Sequence, residues 1–169
     1  IAGDPNSGYI AYGCLADIDA DGDLDLVGTS SGGAIGIYEN TGMPEAPYWM
    51  WLGLIPGIGF GASDGVMALG DLDGDGDIDI VGGSSLSRVK CWENVGTPQA
   101  CSYVRNDAML TGVDAPMDGV YGVALPDVDC DGDPDLVVVG WYGAVYLYLN
   151  EQITSVQSSS WGTIKALYR

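Results

Sequence analysis

Histidine is absent, phenylalanine occurs once, and only five residues of 169 are Lys or Arg. Without His the chain can build neither a Ser-His-Asp or Cys-His nucleophile arrangement nor a His-ligated zinc site. Five bases against 24 acids give a formal charge of −19, which repels nucleic-acid phosphates and anionic membranes alike. Nucleic acid is therefore not an expected partner. No stretch approaches the ~20 apolar residues of a membrane span. The start, Ile1-Ala-Gly-Asp-Pro5, lacks the basic residues and apolar run of a secretory signal, as expected of an already processed chain.

Glycine, in contrast, is abundant at 27 residues, about twice its ordinary share. Together with a hydrophobic content of 47% it favours many short strands and tight turns over long helices. A chain of this length suffices for one domain with a real core.

The acids are concentrated. Fifteen of the 24 lie in three nine-residue loops: Asp17, Asp19, Asp21, Asp23 and Asp25; Asp71, Asp73, Asp75, Asp77 and Asp79; Asp127, Asp129, Asp131, Asp133 and Asp135. Five like charges in nine residues repel strongly unless a cation sits among them. Carboxylates at positions 1, 3, 5 and 9 supply hard oxygen ligands, Gly at position 6 allows the sharp turn, and the position-7 carbonyl adds another oxygen. Such a flexible oxygen cage suits Ca²⁺ better than Mg²⁺. Three calcium sites are the expectation. An EF-hand is excluded, because position 12 is Gly28, Gly82 or Val138 instead of Glu, and strand-like residues follow each loop.

The loops belong to a longer repeat. Asp71 follows Asp17 by 54 residues, and Asp127 follows Asp71 by 56. Ala-Leu-Gly-Asp71 and Ala-Leu-Pro-Asp127 match Cys-Leu-Ala-Asp17; Ile37-Tyr-Glu-Asn40, Cys91-Trp-Glu-Asn94 and Leu147-Tyr-Leu-Asn150 match in turn. Each unit reads strand, acidic loop, strand, short turn, strand, Asn-x-Gly turn and a fourth strand such as Tyr48–Leu52. That predicts an all-β chain of three four-stranded antiparallel β-propeller blades.

These motifs resemble FG-GAP or VCBS-type repeats, the calcium-binding blades of integrin α-subunit propellers and of many secreted bacterial proteins. The Glu-Asn-x-Gly-x-Pro run is also similar to fungal lectins built from such repeats. The resemblance implies an extracellular, calcium-stabilised propeller whose metal loops join the first and second strands of each blade, with the named aspartates as ligands; equal copies in three repeats argue for a scaffold over an enzyme. Three tandem repeats are expected over 1–154 (about 9–62, 63–116 and 117–154), with a tail over 155–169. Three blades leave a ring incomplete, so the chain is expected to pair into a six-bladed ring, to stack into an open filament, or to be a piece of a longer propeller. In this docking or assembly tail, Ser160 could cap a short helix, and the segment is expected to dock on a neighbouring subunit or to supply the fourth strand of the third blade; Trp161 is a contact candidate.

Four cysteines fit an oxidising compartment, with a Cys91–Cys101 disulfide across one hairpin as the plausible bridge, Cys14 free by default and the pairing of Cys130 open. Trp141 and Tyr142, in a turn where the other repeats have Ser and Gly, are the best exposed contact residues. The functional expectation is a secreted structural or adhesive module that assembles with copies of itself; the alternative is a lectin-like propeller that binds a glycan.

Overall fold

The computed structural model describes residues 10–43, 45–61, 65–113, 119–151 and 160–164, with backbone alone at 151 and 160–164. Twelve strands among them form three antiparallel sheets of four, each strand hydrogen-bonded to its sequence neighbour. The first sheet holds β1 (Ile10–Ala16), β2 (Asp25–Ser30), β3 (Ala34–Asn40) and β4 (Trp49–Gly59). The second holds β5 (Val66–Gly70), β6 (Asp79–Ser84), β7 (Ser87–Asn94) and β8 (Tyr103–Arg105). The third holds β9 (Val120–Ala124), β10 (Leu136–Gly140), β11 (Val145–Glu151) and β12 (Ser160–Ile164). No helix of the described residues is long and apolar enough to cross a membrane. The expected three-bladed architecture is thus observed, with the inner strands β1, β5 and β9 side by side and, among the described residues, no closed ring.

Alternation along the strands decides where the core lies. Side chains of a strand point to opposite faces with period two, so each sheet offers two apolar faces to its neighbours. On one face of every blade the register aligns a row of mostly small or β-branched residues: Cys14–Val27–Ile37, Ala68–Val81–Cys91 and Ala124–Val137, the last ending on Leu147. On the other face it aligns large ones: Leu15–Leu26–Tyr38, Leu69–Ile80–Trp92 and, in the third blade, Leu136–Tyr148 with Leu125 nearby. The small row of the first blade packs on the large row of the second, and the small row of the second on the large row of the third. Both cores therefore lie between sheets.

The single phenylalanine occupies one of these junctions. Phe60, 2% exposed, follows β4 and meets the Trp92 ring edge-on at 5.1 Å. Its ring lies over Gly82, where a Cβ would collide with Phe60 Cζ and the Val66 carbonyl. Glycine is needed there for the close approach of the two blades.

Two expectations are corrected. A helix capped by Ser160 does not form. Ser160–Ile164 is β12, which pairs with β11 from Glu151↔Ser160 to Leu147↔Ile164 and becomes the outer strand of the third blade. Without it β11 would present an unpaired edge, and the Trp, Thr and Ile of this run favour extended backbone. The Trp161 side chain and the rest of the tail, 152–159 and 165–169, lie outside the described residues. Nor are Cys91 and Cys101 bridged. The register sets the Asn106 amide, not Cys101, against the Cys91 carbonyl. The Cys91 thiol meets Met109 Sδ at 3.7 Å, while that of Cys101 donates to the Ile18 and Pro98 carbonyls. Cys14 and Cys130 are free as well.

Candidate metal centre

Each acidic loop joins the first and second strands of a blade and folds the same way. In the first loop Asp17 accepts from the Asp21 and Gly22 amides, both at 3.1 Å, and Asp21 accepts from the Asp23 amide at 3.0 Å. In the second, Asp71 accepts from Gly74, Asp75 and Gly76, and Asp75 from Asp77. In the third, Asp127 accepts from Asp131 and Gly132, and Asp131 from Asp133. The glycine at position 6 has a positive φ each time, 98° at Gly22, 94° at Gly76 and 101° at Gly132. Nothing stands within 4 Å of an added Cβ there, so backbone conformation alone demands glycine. Position 4 is left-handed too: Gly74 adopts it freely, whereas Ala20 and Cys130 take it at φ 59° and 64°, at a cost of about 1 kcal/mol each.

The ninth-position aspartates are buried anchors. Asp25, Asp79 and Asp135 are each 1% exposed or less. One oxygen of each accepts from the position-2 amide: Ile18 at 3.1 Å, Leu72 at 2.9 Å and Val128 at 2.7 Å. The other accepts from the Asn at or one residue before the end of the third strand: Asn40 and Asn94 at 2.8 Å, Asn150 at 2.9 Å. Each carboxylate thus ties its acidic loop to the third strand of its own blade.

The sequence pattern set positions 1, 3, 5 and 9 as ligands. The structure gathers three of the four. Asp17, Asp19 and Asp25 each offer an oxygen within 4.8 Å of the others, as do Asp71, Asp73 and Asp79, and Asp127, Asp129 and Asp135. The position-5 residues Asp21, Asp75 and Asp131 are exposed and already accept the position-7 amides. The donor set is carboxylate oxygen throughout, which fits a hard divalent cation. Asp23 Oδ1 is enclosed without a hydrogen-bond partner, leaving an oxygen free in the first loop.

Electrostatics point the same way. Burial, and then the neighbouring aspartates, hold the Asp19, Asp73, Asp129 and Asp133 carboxyls above the ordinary aspartate range. Burial pushes Asp79 up to about 7, against the pull of its two amide donors. Negative charge is disfavoured here unless a cation offsets it.

Partners from the next blade went unnoticed in the sequence. Gln99 Nε2 donates to the Asp19 carbonyl at 2.8 Å, the Cys101 thiol to the Ile18 carbonyl at 3.5 Å, and Asn150 Nδ2 to the Leu72 carbonyl at 3.4 Å. The first and second loops are therefore braced by the blade that follows. The Asn recurring near the end of each third strand was visible, but the reach of Asn150 across blades was not.

The FG-GAP-like repeat family matches residues 17–82 and 71–138, two overlapping spans that each run from one acidic loop through the next. The chain belongs to the FG-GAP-like repeat family. No curated protein and no solved structure matches it significantly. The two matched spans take in all three acidic loops of this FG-GAP-like chain, so the family pattern and the three carboxylate groups coincide.

At the opposite end of the third blade, away from the loops, Trp141 and Tyr142 occupy the turn between β10 and β11. Tyr142 is 98% exposed at φ 60° and stacks edge-on against Trp141 at 5.8 Å; Trp141 meets Tyr121 at 5.4 Å.

Proposed function

We propose that this chain is a calcium-stabilised, non-catalytic structural or adhesive module of the extracellular kind, which associates with copies of itself. The observation that carries this reading is the threefold repetition of one carboxylate group at one place in each blade. A catalytic site is singular and asymmetric, whereas equal groups in consecutive blades serve the scaffold. Asp17, Asp19 and Asp25, with their counterparts in the other loops, would hold the ions. The Asp23, Asp77 and Asp133 carbonyls and the Asp21, Asp75 and Asp131 carboxylates complete the expected donor sets.

Calcium then contributes measurable stability. With Kd of about 10⁻⁴–10⁻³ M, as in extracellular modules, about 1 mM calcium adds roughly 0.4–1.4 kcal/mol per site, or about 1–4 kcal/mol for three. Chelation is expected to lower the melting temperature by about 3–15 °C in scanning calorimetry, and calcium, added back, to restore it. A melt indifferent to chelator would remove the metal from this account.

The ladder of Tyr121, Trp141 and Tyr142 supports a second reading, a glycan-binding surface, because exposed aromatic faces stack on sugar rings. Binding on a glycan array that disappears in Trp141→Ala is the expected result under that reading. A blank array discards it.

A further inference from the structure

Among the described residues, the two end blades leave one apolar row each without a second sheet against it. The first blade presents Leu15–Leu26–Tyr38, the large row that in the second blade receives its neighbour. The third presents Ala124–Val137–Leu147, the small row that in the second blade docks on the next. Leu15 is 55% exposed and Ala124 is exposed, Leu26 and Val137 are half-buried, and only the outer ends of the rows, Tyr38 against Trp51 and Leu147, are already buried; Ala68, the counterpart of Ala124, is buried. The position-2 residue of the loops shows the same gradient: Ile18 is 4% and Leu72 1% exposed, both covered by the following blade, but Val128 is 47% exposed. The third loop is the one that no described blade braces.

We propose that the small row of the third blade takes the large row of the first blade of a second copy of this chain, and that cation binding in the third loop is linked to this docking. It rests on the calcium reading above and adds to it the partner surface and its control. The two junctions inside the chain supply the template, since the free rows repeat their register and residue sizes. The linkage follows from one substitution between repeats. In the second blade Gln99 donates to the Asp19 carbonyl of the preceding loop. The first repeat carries Glu45 in that place, exposed. An incoming first blade thus brings a carboxylate, not an amide donor, against the loop of Asp127, Asp129 and Asp131. Such like charges tolerate contact only with a cation among them. Linkage is reciprocal: calcium in the third loop favours docking, and docking raises calcium affinity there by the same factor.

The test is sedimentation velocity across a calcium titration on the whole chain, with site counting by isothermal calorimetry. Wild type is expected to associate with rising calcium, either to a discrete pair or to longer arrays. Leu15→Gln and Val137→Gln each spoil one row without adding charge, and each alone is expected to associate at least tenfold more weakly. Mixed together they retain one intact junction and are expected to form a one-to-one dimer, with one more calcium bound per pair than the separated chains bind. Glu45→Gln is expected to lower the calcium needed for association severalfold. Each variant is first checked for an unchanged circular dichroism spectrum; should Val137→Gln misfold, Ala124→Gln at the exposed end of the same row takes its place. Wild type that stays monomeric at tens of micromolar protein in saturating calcium, with three equivalent sites, overturns the docking and leaves the calcium reading intact. Failure of every loop to bind calcium overturns the calcium reading itself.

Discussion

Phe60→Ala is expected to lower the unfolding free energy by about 3–5 kcal/mol, the range for deleting a buried aromatic ring. That is a large share of the ~5–15 kcal/mol of an ordinary domain. The ring fills the junction of the first and second blades, edge-on to Trp92 and pressed on Gly82, and no other phenylalanine exists to replace it. Around it stand Ile18, Val27, Ile35, Ile37, Met67 and Ile80, which belong to both blades and cannot close the gap without sliding one sheet over the other. Urea unfolding followed by tryptophan fluorescence measures the loss, and Phe60→Leu should forfeit about a third as much. A Phe60→Ala protein within 1 kcal/mol of wild type would show that the blades are held together elsewhere.

The second large effect is expected at Asp79. Its oxygens take the Leu72 and Asn94 amides at 2.9 and 2.8 Å, and it is 1% exposed. Asp79→Ala strands two buried donors at roughly 1–3 kcal/mol each, so a loss of about 2–6 kcal/mol is expected even in chelator, where no metal contributes. The same carboxyl sets a pH dependence. Its folded value, about 7, lies above the ~3.9 of an unfolded aspartate, so the folded chain holds the proton more tightly. Metal-free protein should therefore lose stability as the pH rises from about 4 through 7. In calcium the slope should flatten, because the ion favours the ionised form. Thermal melts at pH 5.5 and 7.5, with and without chelator, compare the four conditions. A wild-type melt in chelator that is no higher at pH 5.5 would contradict the burial of this charge.

The blades and their loops were legible in the sequence because both are local. The spacing of Asp17 to Asp25 recurs twice, and alternation such as Leu24-Asp-Leu-Val marks a strand within a few residues. The brace of Gln99 on Asp19 spans 80 residues and depends on two blades meeting, which no local pattern encodes. The Cys91–Cys101 expectation failed for a related reason. Proximity across a turn is legible, but register is not, and β7 and β8 pair with Cys91 beside Asn106. In the tail, a helix capped by Ser160 and a fourth strand were both open from the sequence, and the unpaired edge of β11 decided for the strand at Ser160–Ile164. The ninth aspartate was read as a ligand from its type; its work as an anchor between loop and blade required knowing where the Asn94 amide lies.

The paired rows also bear on how such a chain changes over generations. Because every unit carries one small row and one large row, a gene duplication that inserts 54 or 56 residues in phase adds a sheet already fitted to both neighbours. Loss of a unit rejoins two sheets that fit equally well. The two surfaces at the ends keep their character whatever the count, so the number of units can drift while the rule for joining them stays fixed.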